Sequence, residues 1–176
     1  MSNFSNYFIL GIDPGTASTG FALLKCEPEL EMVESGCIRT SPSKCMVERL
    51  QQIYQAVRGI VNKYHPREIA IEQVFFSQNV KTALSVGQAR GVIMLATAGK
   101  NGTVYHYTPL EIKQAICSYG RADKKQIQHM VQRLLNLSSV PTSDDVADAM
   151  AVALCHYYSR KIKILGSSLS SSFPKS

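Results

Sequence analysis

Apolar positions change period along this chain, and the changes mark its elements. From Tyr7 to Asp13 both faces of an extended segment are apolar: Phe8, Leu10 and Ile12 alternate with Ile9 and Gly11. A strand apolar on both faces belongs in the middle of a sheet covered by helices. Asp13-Pro14-Gly15-Thr16 follows, with proline and glycine at the two central positions of a type II turn. Thr19 to Cys26 and Met32 to Arg39 read as the next two strands, and their short connections make them antiparallel neighbours. The period then lengthens. Met46, Leu50, Ile53, Val57 and Ile60 recur at helical spacing within Ser43 to Lys63, and Pro66 stops the run. Glu68 to Glu72 is a short strand, Asn79 to Ala98 a helix and Val104 to Tyr107 another strand. Pro109 opens a helix to about Tyr119, and Asp123 to Leu135 forms the next. Ser143 caps a last helix reaching about Arg160. Three strands, then alternating helices and strands, predict an α/β domain with a mixed sheet. That domain is expected to span 1–165, and the serine-rich remainder, 166–176, to be disordered.

Four acids interrupt this pattern. Asp13 ends a strand buried on both faces, and Glu72 ends the next core strand, Ile69-Ala70-Ile71-Glu72. Open α/β sheets place ligand sites at the carboxyl ends of parallel strands, so the two carboxylates are positioned to converge. The alternative is that each leaves the core into a loop. Asp145 and Asp148 are three residues apart on the last helix and share a face, at the head of an apolar stripe continued by Val152 and Cys155. The helix macrodipole accounts for Asp144 and Asp145 in the first turn. It does not account for Asp148, which lies among Val146, Ala147, Ala149 and Met150. Buried like charges are costly without a positive partner, and no lysine or arginine is close in sequence to Asp13, Glu72 or Asp148. A divalent cation is the natural counter-charge, and oxygen-only ligands suit Mg²⁺ or Mn²⁺. Two such ions roughly 3.5–4 Å apart perform phosphodiester cleavage.

Composition narrows the partners. A net charge of +6 favours an anionic partner, nucleic acid or membrane surface, and serves simple solubility as well. Five cysteines without C-x-x-C spacing argue against a disulfide framework or a zinc knuckle and fit a reducing cytoplasm. Residues 1–8 do not read as a signal peptide, and no apolar run approaches the roughly 20 residues of a membrane span. A cytoplasmic protein without a membrane partner is expected.

These residues together resemble the RuvC family of Holliday-junction resolvases, crossover junction endodeoxyribonucleases with a ribonuclease H-like fold. The resemblance runs from about Ile9 to His156. It rests on G-I-D-P-G-T at Gly11–Thr16, I-E-Q-V-F at Ile71–Phe75, G-Q-A-R-G at Gly87–Gly91, H-M-V at His129–Val131 and D-V-A-D-A at Asp145–Ala149, in family order. It implies a five-stranded mixed sheet with helices on both faces. It implies that Asp13, Glu72, Asp145 and Asp148 are the catalytic acids and metal ligands, holding Mg²⁺, which Mn²⁺ replaces, as two ions per site. Asp144 adjoins Asp145 and stands as the alternative third acid; the spacing to Asp148 favours Asp145. The resemblance further implies a homodimer that nicks two strands of a four-way DNA junction symmetrically, beside the RuvA–RuvB branch-migration complex, in recombination and repair. Phe75 becomes a base-stacking or junction-wedging residue, and Lys113 and Lys124 become DNA contacts near the scissile phosphate.

Arg121, Lys124 and Lys125 cluster at a helix entry, which strengthens the DNA reading, although any single lysine is ordinarily just solvated. Gly87 and Gly91 permit close packing of another element, either the sheet or the same helix of a second subunit. Arg90 and Phe76 receive no role, and the four histidines are expected to be structural or superficial. Three other functions compete. A phosphotransferase of the actin and sugar-kinase type also opens with an acid-x-glycine-threonine turn, but needs two domains and a second phosphate loop. A junction-binding protein without catalysis needs the basic surface but not the acids. A ribonuclease H-like nuclease with another nucleic-acid substrate needs both.

Overall fold

The computed structural model describes residues 7–73, 80–98 and 102–170, with the backbone alone for 80–82 and 161–170. Among the described residues, five strands and five helices follow in the order β1 (Phe8–Asp13), β2 (Ser18–Lys25), β3 (Glu31–Arg39), α1 (Met46–Tyr64), β4 (Glu68–Glu72), α2 (Val80–Thr97), β5 (Thr103–Tyr107), α3 (Pro109–Cys117), α4 (Lys124–Leu134) and α5 (Asp144–Ser170). The sheet order is β3-β2-β1-β4-β5. β1, the strand with two apolar faces, is the middle one. It pairs antiparallel with β2 and parallel with β4, and β4 pairs parallel with β5, so the sheet is mixed.

Two apolar layers cover the two faces. Leu10, Ile12, Leu23, Ile69 and Ile71 pack with Ile53, Val57 and Val61 of α1 and Ala89, Ile93 and Ala96 of α2. On the opposite face Ile9, Ala22, Leu24 and Ala70 pack with α5, which is itself covered by Ile112 and Ile116 of α3 and Ile127 and Val131 of α4. α5 therefore lies between the sheet and a further helical layer. This explains why its residues Ala149–Tyr157 are buried on every side.

Three details depart from expectation. α1 starts at Met46 and not near Ser43, because Cys45 takes the cap position and its N–H donates to the Glu48 carboxylate at 2.9 Å. α5 continues to Ser170 and not to about Arg160; a lone glycine such as Gly166 costs about 1 kcal/mol in a helix and does not terminate it. Of the tail expected to be disordered, 166–170 is helical and 171–176 lies outside the described residues. The connection after β1 is not a type II turn either, since Gly15 is not in the left-handed region that such a turn requires. The loop is held from outside: Thr19 Oγ1 donates to the Gly15 carbonyl and Thr40 Oγ1 to the Thr16 carbonyl, each at 2.6 Å. Glycine is required at position 15 for room, because a Cβ would lie 2.3 Å from the Ser18 carbonyl oxygen.

Candidate active site

Alternation along the strands decides which side chains meet. Successive positions point to opposite faces, so Asp13 shares the α5 face with Ile9 and Gly11, and Glu72 shares it with Glu68 and Ala70. β1 and β4 are in register at Ile12 and Ile71, so their carboxyl ends bring Asp13 and Glu72 side by side. On its other flank Asp13 lies opposite Gly20 of β2. A Cβ on Gly20 would stand 1.9 Å from the Asp145 carbonyl oxygen. A Cβ on Gly11 would stand 2.3 Å from the Ala149 carbonyl oxygen and 2.7 Å from Ala153 Cβ. The two glycines thus let the backbone of α5 rest directly on β1 and β2. This seats Asp145 and Asp148 at the carboxyl end of the central strand.

The acids feel one another. Burial, then the charges of Glu72 and Asp148, push the Asp13 carboxyl up to about 8 from 3.8. The hydrogen bond between Asp13 and Glu72 works with burial to raise Asp13 and against burial at Glu72. Burial also raises Glu72 and Asp148 above the ordinary carboxylate range. Two cations oppose this. Lys113 of α3 and Lys124 of α4 line a cavity of about 160 Å³ with Glu72 and Asp148, and their charges lower both acids. No lysine or arginine is close to the acids in sequence; both lysines arrive in space through the α3–α4 layer.

Asp144 and Asp145 part company at the start of α5. Asp144 is exposed and turned to α4, receiving Lys124 Nζ at 3.1 Å and Gln128 Nε2 at 2.9 Å. Asp145 is half-buried over Gly20, accepts from Ser18 Oγ at 2.5 Å, and adds its charge to the burden on Asp13. Cys37 Sγ is 3.8 Å from the same Asp145 oxygen. Sequence reasoning missed Ser18 and Cys37. Each sits on the α5 face, Cys37 directly opposite Gly20 across β2 and β3, but that register is visible only in the folded sheet.

Carboxylate oxygens of this kind suit a hard divalent cation. Among the described residues no three His, Cys, Asp or Glu side chains stand as a ready-made cage. A divalent cation among these carboxylates would relieve the burial and repulsion that raise Asp13, Glu72 and Asp148. The donor chemistry therefore fits a metal.

The remaining expectations divide. Phe75 and Phe76 lie outside the described residues. Arg90 reaches from α2 to β5, its Nη2 3.0 Å from His106 Nδ1. Gly87 and Gly91 do not pack on the sheet: an added Cβ at either would meet nothing within 4 Å. Of the histidines, His156 is buried in a network described below, and His65 and His129 lie at the surface.

A family model described as crossover junction endodeoxyribonuclease RuvC matches residues 9–156. The chain belongs to the RuvC family. The RuvC of Pelotomaculum thermopropionicum is 47% identical over 161 residues, covering 89% of this chain and 98% of that protein. The RuvC of Alkaliphilus oremlandii is 50% identical over 149 residues, covering 84% and 91%. Thermus thermophilus RuvC, solved in complex with Holliday junction substrate, superposes with a TM-score of 0.83 at 30% identity, covering 88% of this chain and 96% of that one. The yeast mitochondrial Holliday junction resolvase, at 13% identity and a TM-score of 0.66, shares the fold. The fold is ribonuclease H-like, and as a RuvC this chain is a metal-dependent nuclease.

Proposed function

We propose that this RuvC resolves four-way DNA junctions by paired, symmetric, Mg²⁺-dependent hydrolysis in recombination and repair. Asp13, Glu72, Asp145 and Asp148 are its catalytic acids and metal ligands. The observation that carries this reading is the gathering of carboxylates from β1, β4 and α5 in one corner, mutually raised and facing two lysines. The junction as substrate is supported by the Thermus thermophilus relative, which was solved with one.

The four acids hold two Mg²⁺ ions, with Mn²⁺ as a substitute. When bound, the ions supply an activated water and stabilise the leaving oxygen. Lys113 and Lys124 meet the phosphates beside the cut and offset the charge of Glu72 and Asp148. Phe75 stacks on an unpaired base at the junction, a contact worth roughly 1–3 kcal/mol. The enzyme works in the cytoplasm beside the RuvA–RuvB complex; no described helix is long and apolar enough to cross a membrane.

The deciding experiment compares a mobile four-way junction, a plain duplex and an RNA–DNA hybrid, with Mg²⁺ and with chelator. Symmetric nicks in two strands of the junction alone, only with Mg²⁺, are expected. Preference for the hybrid sinks the substrate assignment, and equal cleavage by Asp13→Asn sinks the site.

Paired nicks need two active sites, and α2 has the surface for a second copy. Leu84, Met94 and Leu95 are exposed there, alongside Gly87 and Gly91 with open space over them. Between α1 and α2 lies a largely apolar hollow of about 410 Å³, lined by Val47, Leu50, Tyr54, Val92 and Leu95. A contiguous apolar patch on a helix pair marks an interface. Leu84→Glu combined with Leu95→Glu is therefore expected to turn a dimer into a monomer in sedimentation and to uncouple the two nicks. A wild type that sediments as a monomer defeats this assignment.

A further inference from the structure

Two side chains outside the four-acid set converge on one oxygen of Asp145. Ser18 Oγ is 2.5 Å from Asp145 Oδ2. Cys37 Sγ is 2.7 Å from Ser18 Oγ and 3.8 Å from that same Oδ2. Sheet geometry makes the meeting inevitable. Cys37 lies opposite Gly20 across β2 and β3, and Ser18 is two residues before Gly20 on the same face. The Asp145 backbone rests on Gly20 itself. The direction of the hydrogen bonds follows from proton count. An ionised carboxylate only accepts, and a serine has one hydroxyl hydrogen. Ser18 therefore donates to Asp145, and the Cys37 thiol donates to Ser18.

A carboxylate at this position needs such restraint. The terminal torsion of an aspartate is broad and easily turned. The Asp145 charge bears on both Asp13 and Asp148, so its head sits in a crowded acidic corner. A fixed donor on one oxygen opposes that rotation and leaves Oδ1 as the oxygen presented to a cation.

We infer that Ser18, backed by Cys37, is a positioning residue for the metal site: it holds Asp145 Oδ2 so that Oδ1 is offered to the ion. The inference rests on the nuclease reading above. Donors behind a ligating carboxylate typically change metal affinity by about 10–100-fold.

The test is Mn²⁺ titration calorimetry on wild type, Ser18→Ala, Ser18→Thr, Cys37→Ala and Asp145→Asn. Junction affinity is measured in chelator on the same set. Ser18→Ala is expected to weaken Mn²⁺ binding about tenfold or more, with junction affinity and melting temperature in chelator unchanged. Ser18→Thr, which keeps the hydroxyl, is expected to bind Mn²⁺ close to wild type, and Cys37→Ala to lose less than Ser18→Ala. Unchanged Mn²⁺ affinity in Ser18→Ala, while Asp145→Asn loses it, overturns the role of Ser18 and leaves the nuclease reading standing. An equal loss in Ser18→Ala and Ser18→Thr, or a parallel loss of junction binding in chelator, shows a role of shape and overturns it too. No Mn²⁺ binding by wild type removes the metal reading and this inference together.

Discussion

Asp13→Asn is expected to end junction cleavage and, in chelator, to raise the melting temperature. The first effect follows from losing a proposed metal ligand: a fall in rate of about a thousandfold or more, or roughly 4 kcal/mol in the barrier. The second follows from linkage. Asp13 is pushed from 3.8 unfolded up to about 8 folded, by burial first and then by Glu72 and Asp148. A carboxyl raised on folding stabilises the native state while both states are protonated. That contribution is fully present below about pH 3.8 and is lost as pH rises through about 8. Without metal, wild type should therefore lose stability from about pH 4 to pH 8 and level off above. Asparagine carries no charge and can still hydrogen-bond Glu72. The variant should hold nearly flat across that window and melt a few degrees above wild type at pH 8, where each 1 kcal/mol is about 2–4 °C for a chain of this size. Added Mg²⁺ should raise wild type and move the variant far less. A variant that melts lower than wild type in chelator at pH 8 would instead make Asp13 a structural hydrogen-bond partner.

What could be read before folding was what depends on short range. The two apolar faces of β1 announced a central strand, and the helical period of Met46 to Ile60 announced α1. Asp13 and Glu72 stood out because each ends a short apolar strand, and their adjacency followed from the parallel register of β1 and β4. Other features are set by distant segments. Gly20 is glycine because of the Asp145 backbone, far along the chain. Ser18 and Cys37 reach Asp145 through a cross-strand register that no local pattern encodes. The approach of the lysines to the acids is set in the same way. Lys113 and Lys124 are remote in sequence from Asp13 and Glu72, yet the packing of α3 and α4 against α5 turns them toward the acids. The turn after Asp13 misled because proline and glycine suggest a local conformation, while Thr19 and Thr40 dictate another from outside.

The largest loss of stability is expected at the other end of β4. Glu68 lies on the same face as Glu72 but four residues earlier, at the opposite end of the strand from the acid cluster. There it receives His156 Nε2 at 2.8 Å and has Arg160 Nε at 3.7 Å. Tyr107 Oη lies 2.7 Å from His156 Nδ1, and Tyr105 stacks on the imidazole with ring centroids 4.3 Å apart. His156 and Glu68 are nearly enclosed, with side-chain exposures of 3% and 14%. The network ties the middle of α5 to β4 and β5, so it anchors the helix whose first turns carry Asp145 and Asp148. His156→Ala removes a ring, opens a cavity and strips the Glu68 carboxylate of its hydrogen bond from the imidazole. Breaking one partner of such a pair costs about 3–5 kcal/mol, or a fall of roughly 10 °C in melting temperature. Glu68→Gln should cost less, because the amide keeps an acceptor without a charge to solvate. The pH response runs opposite to that of Asp13. Hydrogen bonds from Tyr7 and His156 hold Glu68 below its ordinary value against the effect of burial. Its stabilisation is therefore present above about pH 4.5 and lost as pH falls through the folded value. Wild type should lose stability in acid on this account, and Glu68→Gln should lose less over the same range. Thermal melts of the three proteins from pH 3 to pH 6 separate the outcomes. A His156→Ala variant that melts within about 2 °C of wild type, less than 1 kcal/mol, would mean that the network is solvated filling and does not anchor α5.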